Sequence, residues 1–221
     1  MRDRSGQTVE ALEPILNATA AASGFELEPH ARGSLARYAY RVLQWNRTAN
    51  LTGARDAADF CQRFLGDVFV VAPLVEGQRL VDVGSGNGLP GLALAILKPA
   101  TKVWLVEPRA RRARFLKQIC IELGLDTVEV VASRVEDWRP PAAPDAIVAQ
   151  AVGDLAYLLH ATRHLQGPAC RLYALKGRVP SAEVAALGAD AAACSIARLN
   201  VPGWTDRHLV TIDCKRLGAA G

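Results

Sequence analysis

Nowhere in the chain does an uncharged apolar run approach the ~20 residues needed to cross a bilayer as a helix. Residues 1–7 are polar, with no apolar stretch long enough for a signal peptide. These absences predict a soluble, cytoplasmic protein with no membrane partner. Cysteines stand at 61, 120, 170, 194 and 214, an odd count with no Cys-x-x-Cys pair. That argues against a disulfide framework or a zinc knuckle and predicts reduced, mostly buried thiols. His160 and His164 are four residues apart on an expected helix, but no Glu follows the first and no third ligand is evident. A metal site is therefore not expected. Charge of one sign is not in great excess. The net charge of +4 and pI near 8.9 permit an anionic partner without demanding one. There is no internal repeat, no long low-complexity segment and no convincing catalytic triad.

What remains is a globular composition. The chain has 221 residues, half of them hydrophobic and 22% charged, enough for one large domain or one domain with an extension. Residues 1–76 read as a helical extension packed on a core formed by 77–221. In the extension, 8–22 predicts a helix with Val9, Leu12, Leu16 and Ala20 on one face, its start blurred by Pro14. A second helix over 34–46 would bury Leu35, Tyr38, Ala39, Val42 and Leu43, with Ser34 as its cap. A third is expected over 57–75, ending before Gly77. Trp45 is expected to pack between this helical part and the sheet.

From residue 79 the pattern changes to strands at 79–83, 102–107, 127–132, 145–149 and 170–175. Helical stretches at 90–98, 109–123, 154–165 and 181–188 alternate with them. That alternation implies right-handed crossovers and a mainly parallel sheet. Strands at 194–199 and 207–214 are separated only by 200–206, too little for a crossover helix, so they should be antiparallel. The expected fold class is α/β: a doubly wound, mainly parallel seven-stranded sheet whose last strands are antiparallel, with an N-terminal helical extension. This resembles the architecture of S-adenosylmethionine-dependent methyltransferases.

The most informative segment joins the first strand to the first helix of that sheet: Asp82-Val83-Gly84-Ser85-Gly86-Asn87-Gly88-Leu89-Pro90-Gly91. Glycines at 84, 86 and 88 permit positive φ and close backbone approach to a ligand. Gly86 to Gly91 literally matches the dinucleotide G-x-G-x-x-G pattern, which leaves a nicotinamide dehydrogenase open. The turn, however, begins at Gly84 directly after the strand, and a carboxylate at Asp82 would repel a pyrophosphate. Pro90 sets the helix start. Together these favour S-adenosyl-L-methionine. Glu107, at the end of the second strand, is placed for ribose hydroxyls in either cofactor class. Val135 and Glu136, after the third strand, are placed for the adenine end.

Several segments then match one family in order. They are Trp45-Asn46-Arg47-Thr48-Ala49-Asn50-Leu51-Thr52, the glycine turn itself, the basic stretch from Arg111 to Leu116, Ser133-Arg134-Val135-Glu136, Ala174-Leu175-Lys176-Gly177 and Arg207-His208-Leu209-Val210. The chain resembles the 16S ribosomal RNA guanine-N7 methyltransferases, also called glucose-inhibited division protein B. The resemblance implies cofactor contacts at Gly84, Leu89, Val135 and Glu136, with Gly86 and Glu107 added by the turn reading, and a guanine of 16S RNA or the 30S subunit as substrate. Two positions depart from the family's pattern. Gln150 stands in Ala149-Gln150-Ala151 where the family has a cofactor-site Arg, and Phe64 stands three residues before Asp67 where it has a His. These departures leave open a cofactor- or RNA-binding paralogue with altered activity.

Guanine N7 carries an exposed lone pair, so its methylation calls for alignment more than for a general base. Asn46, Asn50, Arg112 and Lys176 are the candidate substrate contacts. Among Arg109, Arg111, Arg112, Arg114 and Lys117, positions 111, 114 and 117 should face outward beside a stripe of Phe115, Leu116, Ile119, Cys120 and Leu123. Arg112 should snorkel or reach the ligand crevice. A monomer is expected.

Overall fold

The computed structural model describes residues 8–218. The helical part begins with α1 (Val9–Ala22), whose start is sharp: the Thr8 hydroxyl accepts from Ala11 N at 3.3 Å. Pro14 lies inside this helix and does not delay it. The second helix, α2 (Pro29–Ala49), starts five residues before Ser34, so the expected Ser34 cap is incorrect. Pro29 occupies the first helical position, where a missing N–H costs nothing. Its buried stripe of Leu35, Tyr38, Ala39 and Val42 is the one the periodicity indicates. Helix α3 (Ala57–Asp59) runs through a π-helical segment (Phe60–Leu65) into α4 (Gly66–Val71). The wider winding of the π segment was not expected from sequence; such segments often mark functional sites.

Strands β1 (Arg79–Val83), β2 (Lys102–Val106), β3 (Val128–Val131), β4 (Ala146–Gln150), β5 (Arg171–Lys176), β6 (Cys194–Arg198) and β7 (His208–Asp213) form one sheet in the order β3-β2-β1-β4-β5-β7-β6. The first five pair parallel. Strand β7 is antiparallel to both β5 and β6, as the short connection requires. Crossover helices α5 (Gly91–Leu97), α6 (Ala110–Leu123) and α7 (Leu155–Ala161) divide between the two faces, and α8 (Ser181–Ala185) follows β5.

Alternation along the strands builds two cores. Leu80, Val103, Leu105, Ala146, Val148 and Tyr173 join the faces of α1, α2, α5 and α6 in one hydrophobic cluster. Val81, Val83, Trp104, Val106, Ile147 and Leu172 join α7 in the other. The helical part therefore shares a core with one face of the sheet. Trp45 packs on Phe115 of α6 with ring centroids 5.6 Å apart, against the core shared by the helical part and one face of the sheet. All five cysteines are free thiols, and Cys61, Cys120, Cys170 and Cys214 are buried. No helix among the described residues is long and apolar enough to cross a membrane.

The chain runs outward from β1 to β2 and β3, then returns to place β4 on the other side of β1. The carboxyl ends of β1 and β4 thus flank a topological switch point, where doubly wound sheets leave a crevice for ligands.

Candidate cofactor and substrate site

The glycine turn occupies that crevice. Gly84, Gly86 and Gly88 have φ of 66°, 58° and 103°, the left-handed region that favours glycine. Gly84 also leaves room for a neighbour: a Cβ there would lie 2.7 Å from Val152 Cγ2, in the loop after β4. Pro90 precedes α5 as its cap residue, in agreement with the expected helix start.

Asp82 orders the turn from beneath. It is fully buried in central strand β1, and its Oδ2 accepts from Gly91 N at 3.2 Å. Its Oδ1 has no partner. Burial pushes the carboxyl up to about 7, against the opposing pull of the Gly91 amide. Between the unfolded value near 3.8 and the folded value near 7 the native state holds the extra proton, so rising pH destabilises the native state across that window. In the ligand-free protein, Asp82→Asn is expected to reduce the stability lost between pH 5 and pH 8 by on the order of 2 kcal/mol, read by urea unfolding at both pH values. An unchanged pH dependence would show that Asp82 does not carry the buried charge.

Glu107 sits on the other side of the turn. It is buried, and its Oε2 accepts from Gly86 N at 2.9 Å while Oε1 accepts from Arg109 N at 2.7 Å. It therefore braces the glycine turn and the start of α6 at once. A carboxylate has about four acceptor positions, so it retains capacity for a ligand hydroxyl.

The helical layer closes over this turn. Tyr38 of α2 donates its hydroxyl to Asn87 O at 2.8 Å, and a Cβ on Gly88 would meet that hydroxyl at 3.1 Å. Arg41 of α2 forms a two-pronged ion pair with Glu122 of α6. Arg112 resolves the two readings of its side chain in favour of the crevice. It donates Nη2 to Asn50 O at 3.2 Å, and its Nη1 lies 3.7 Å from where a Gly86 Cβ would be. Arg111, Arg114 and Lys117 are exposed, as the helical spacing requires.

The other predicted residues fall in four places. Leu89 is buried in the core beneath the turn. Val135 is buried against the opposite sheet face, and Glu136 beside it accepts from Tyr157 Oη at 3.0 Å. The Glu136 carboxyl is held below its ordinary range, first by its own amide N–H and, among smaller contributions, by that hydroxyl. Asn46 directs its amide into its own loop: Oδ1 accepts from Leu51 N and Thr52 N, and Nδ2 donates to Thr52 O at 2.8 Å. Asn50 ends α2 in the left-handed conformation, with φ 46°. In the described structure both asparagines shape the connection that Arg112 grips.

Gln150 and Lys176 meet at a cavity of about 350 Å³ between the helical layer and the ends of β4 and β5. Lys176 Nζ donates to Glu183 Oε2 at 2.7 Å and to Gly153 O at 3.1 Å. The same cavity is lined by residues that sequence reasoning did not assign to the site: Asp67 of α4, Arg207 before β7, and Trp204. Arg207 Nε donates to both Asp67 oxygens, at 3.1 and 3.2 Å, although 140 positions separate the two residues. Burial pushes Asp67 up to about 6 against the pull of Arg207. The sequence signals were Arg207 in a matched segment and Asp67 in the family's His-x-x-Asp position, and nothing local tied one to the other.

The fit of these residues to a nucleoside-like cofactor rests on three features: a cradle with no Cβ, a buried carboxylate with an unpaired oxygen beneath it, and a second carboxylate at the end of β2. The sheet with its antiparallel last strands and this turn define the fold of an S-adenosylmethionine-dependent methyltransferase. Two solved structures share it: the methyltransferase SibL in its apo form (TM-score 0.57, 16% identity, 92% of this chain and 75% of that one) and a SAM-dependent methyltransferase from Aquifex aeolicus (TM-score 0.53, 17% identity, 77% and 98%). The family described as rRNA small subunit methyltransferase G matches residues 32–210. Ribosomal RNA small subunit methyltransferase G of Escherichia fergusonii is 39% identical over 198 residues, 88% of this chain and 95% of that protein. The chain belongs to the rRNA small subunit methyltransferase G family, and neither the dehydrogenase nor the inactive-paralogue reading receives support.

Proposed function

We propose that this enzyme transfers a methyl group from S-adenosyl-L-methionine to N7 of a guanine in 16S ribosomal RNA, acting in the cytoplasm as a monomer on the RNA or the 30S subunit. The observation that carries the reading is a shared wall. The loop after β4 touches the cofactor turn through Val152 and lines the neighbouring cavity through Ala151 and Gly153. A cofactor on the turn and a base in the cavity would thus be neighbours.

When bound, S-adenosylmethionine supplies an electrophilic methyl group on a sulfonium. The chain's own residues do the rest by placement. Gly84 and Gly86 admit the cofactor backbone, Glu107 meets ribose hydroxyls, and Val135 and Glu136 flank the adenine. Gln150 lies at the strand end between cofactor and base; as a neutral amide it can hydrogen-bond but cannot form the charged fork an Arg would. N7 has no proton to lose, so the site needs no general base, and orientation supplies most of the acceleration. Arg112 and Lys176 bring positive charge to the two sides of the crevice, and the exposed row of Arg111, Arg114 and Lys117 fits a phosphate backbone.

The test is transfer of labelled methyl to 30S subunits and to free 16S RNA, each lacking the modification, followed by mapping of the modified base. Label at a guanine with the alkali-labile character of an N7-methylated base is the expected result. Label at another atom, or none in either substrate despite S-adenosylhomocysteine binding, would overturn the reading.

A further inference from the structure

The cavity beside the turn holds one acidic side chain whose chemistry is specific. We propose that Asp67 reads the Watson–Crick edge of the substrate guanine, its carboxylate accepting N1–H and N2–H so that N7, on the opposite edge, faces the cofactor turn. This deepens the N7 reading and rests on it.

Guanine presents two adjacent N–H donors on its pairing edge; adenine, cytosine and uracil each mix a donor with an acceptor there. An ionised carboxylate is acceptor-only and matches guanine alone. The Asp67 side chain is 4% exposed and lies in the cavity wall. Arg207 Nε occupies one acceptor position on each oxygen, and about two of the four remain. Arg207 is itself held. Its guanidinium lies 3.8 Å from the Trp204 ring centroid, and Nη1 donates to Asp206 O at 3.0 Å. The carboxylate is therefore fixed before the base arrives, which is what a recognition contact requires.

The surroundings also suit a purine. The cavity, about 350 Å³, is in the range of small-ligand sites. Phe64 and Trp204 also line it, with the Arg63 guanidinium 5.4 and 5.0 Å from their ring centroids, so a base stacking there would share or displace that side chain. Phe64 is backed by Phe60, with ring centroids 5.5 Å apart. Gln150 and Lys176 line the same cavity, as donors suited to guanine O6 on the edge that carries N7. The π segment (Phe60–Leu65) leads directly into the turn of α4 that carries Asp67.

The test uses the full chain and 30S subunits reconstituted with 16S RNA carrying either guanosine or inosine at the mapped position. Inosine keeps N7, O6 and N1–H and lacks only the 2-amino group. The wild-type enzyme should methylate guanosine about 10-fold faster than inosine, and Asp67→Asn should lose about 100-fold on guanosine while the guanosine-to-inosine ratio falls towards one. S-adenosylhomocysteine binding by Asp67→Asn, measured by calorimetry, should stay within about twofold of wild type, since Asp67 touches the base and not the cofactor. A purely structural Asp67–Arg207 pair would lower activity without changing the base ratio, and that outcome overturns the assignment. Should Asp67→Asn not fold, the wild-type ratio decides: equal rates on guanosine and inosine sink the proposal. Absence of wild-type transfer to guanosine 30S subunits would remove the N7 reading and this assignment with it, whereas transfer without guanosine preference removes the assignment alone.

Discussion

Gly91→Ala is expected to destabilise the protein by about 3–5 kcal/mol and to abolish S-adenosylhomocysteine binding. An added Cβ would lie 2.4 Å from Asp82 Cβ, 2.6 Å from Oδ2 and 2.8 Å from Cγ. Asp82 cannot yield, because it is fully buried in β1, which pairs with β2 on one side and β4 on the other. The helix must therefore retreat, and the Gly91 N–H to Asp82 Oδ2 bond goes with it. Overpacking costs about 1–3 kcal/mol and a broken hydrogen bond in a buried site a similar amount. The turn is suspended between that bond and the end of β1, so its shape is lost before the fold is. Urea unfolding and calorimetric titration with S-adenosylhomocysteine measure the two effects. A variant within about 1 kcal/mol of wild type that binds normally would show that the Asp82–Gly91 contact does not set the turn.

Glu107→Ala should lower S-adenosylhomocysteine affinity by about 100-fold or more. The substitution leaves Gly86 N without its acceptor in a buried site, at about 1–3 kcal/mol, frees the part-buried Arg109 N at a smaller cost, and removes the group proposed for the ribose hydroxyls. Glu107→Gln retains one acceptor oxygen and can hold one of the two amides, so its loss should be nearer 10-fold. The graded series separates two roles. If Glu107 only braces the backbone, both variants should lose stability in proportion to affinity. If it also binds the ribose, affinity should fall further than stability. Equal cofactor affinity in wild type and Glu107→Ala would exclude both roles.

The shape of the candidate cofactor turn was legible because its determinants are local. Gly84, Gly86, Gly88 and Pro90 act through their own backbone preferences, and Asp82 is close to them in sequence. Strand periodicity placed Glu107 at a strand end and Val135 in the loop after the third strand, and a doubly wound sheet gathers those ends at one crevice. One local reading failed for an equally local reason: Pro29 offers a better helix start than Ser34. The helix expected over 8–22 forms with Pro14 inside it and its stripe of Leu12, Leu16 and Ala20 in the core. The roles of Asn46 and Asn50 depended on where their loop met α6, which no spacing along the chain discloses.

By itself, then, the sequence determined the element order, the mixed sheet, the family and the turn, because each depends on periodicity or on residues within one turn of each other. Tertiary structure decided what faces that turn. Arg207 reaches Asp67, Tyr38 reaches Asn87 and Arg112 reaches Asn50 only because the helical layer and the sheet share one core that brings distant segments into hydrogen-bond range. Contacts of that kind depend on side-chain burial and on the geometry of packed layers, and a one-dimensional pattern carries neither.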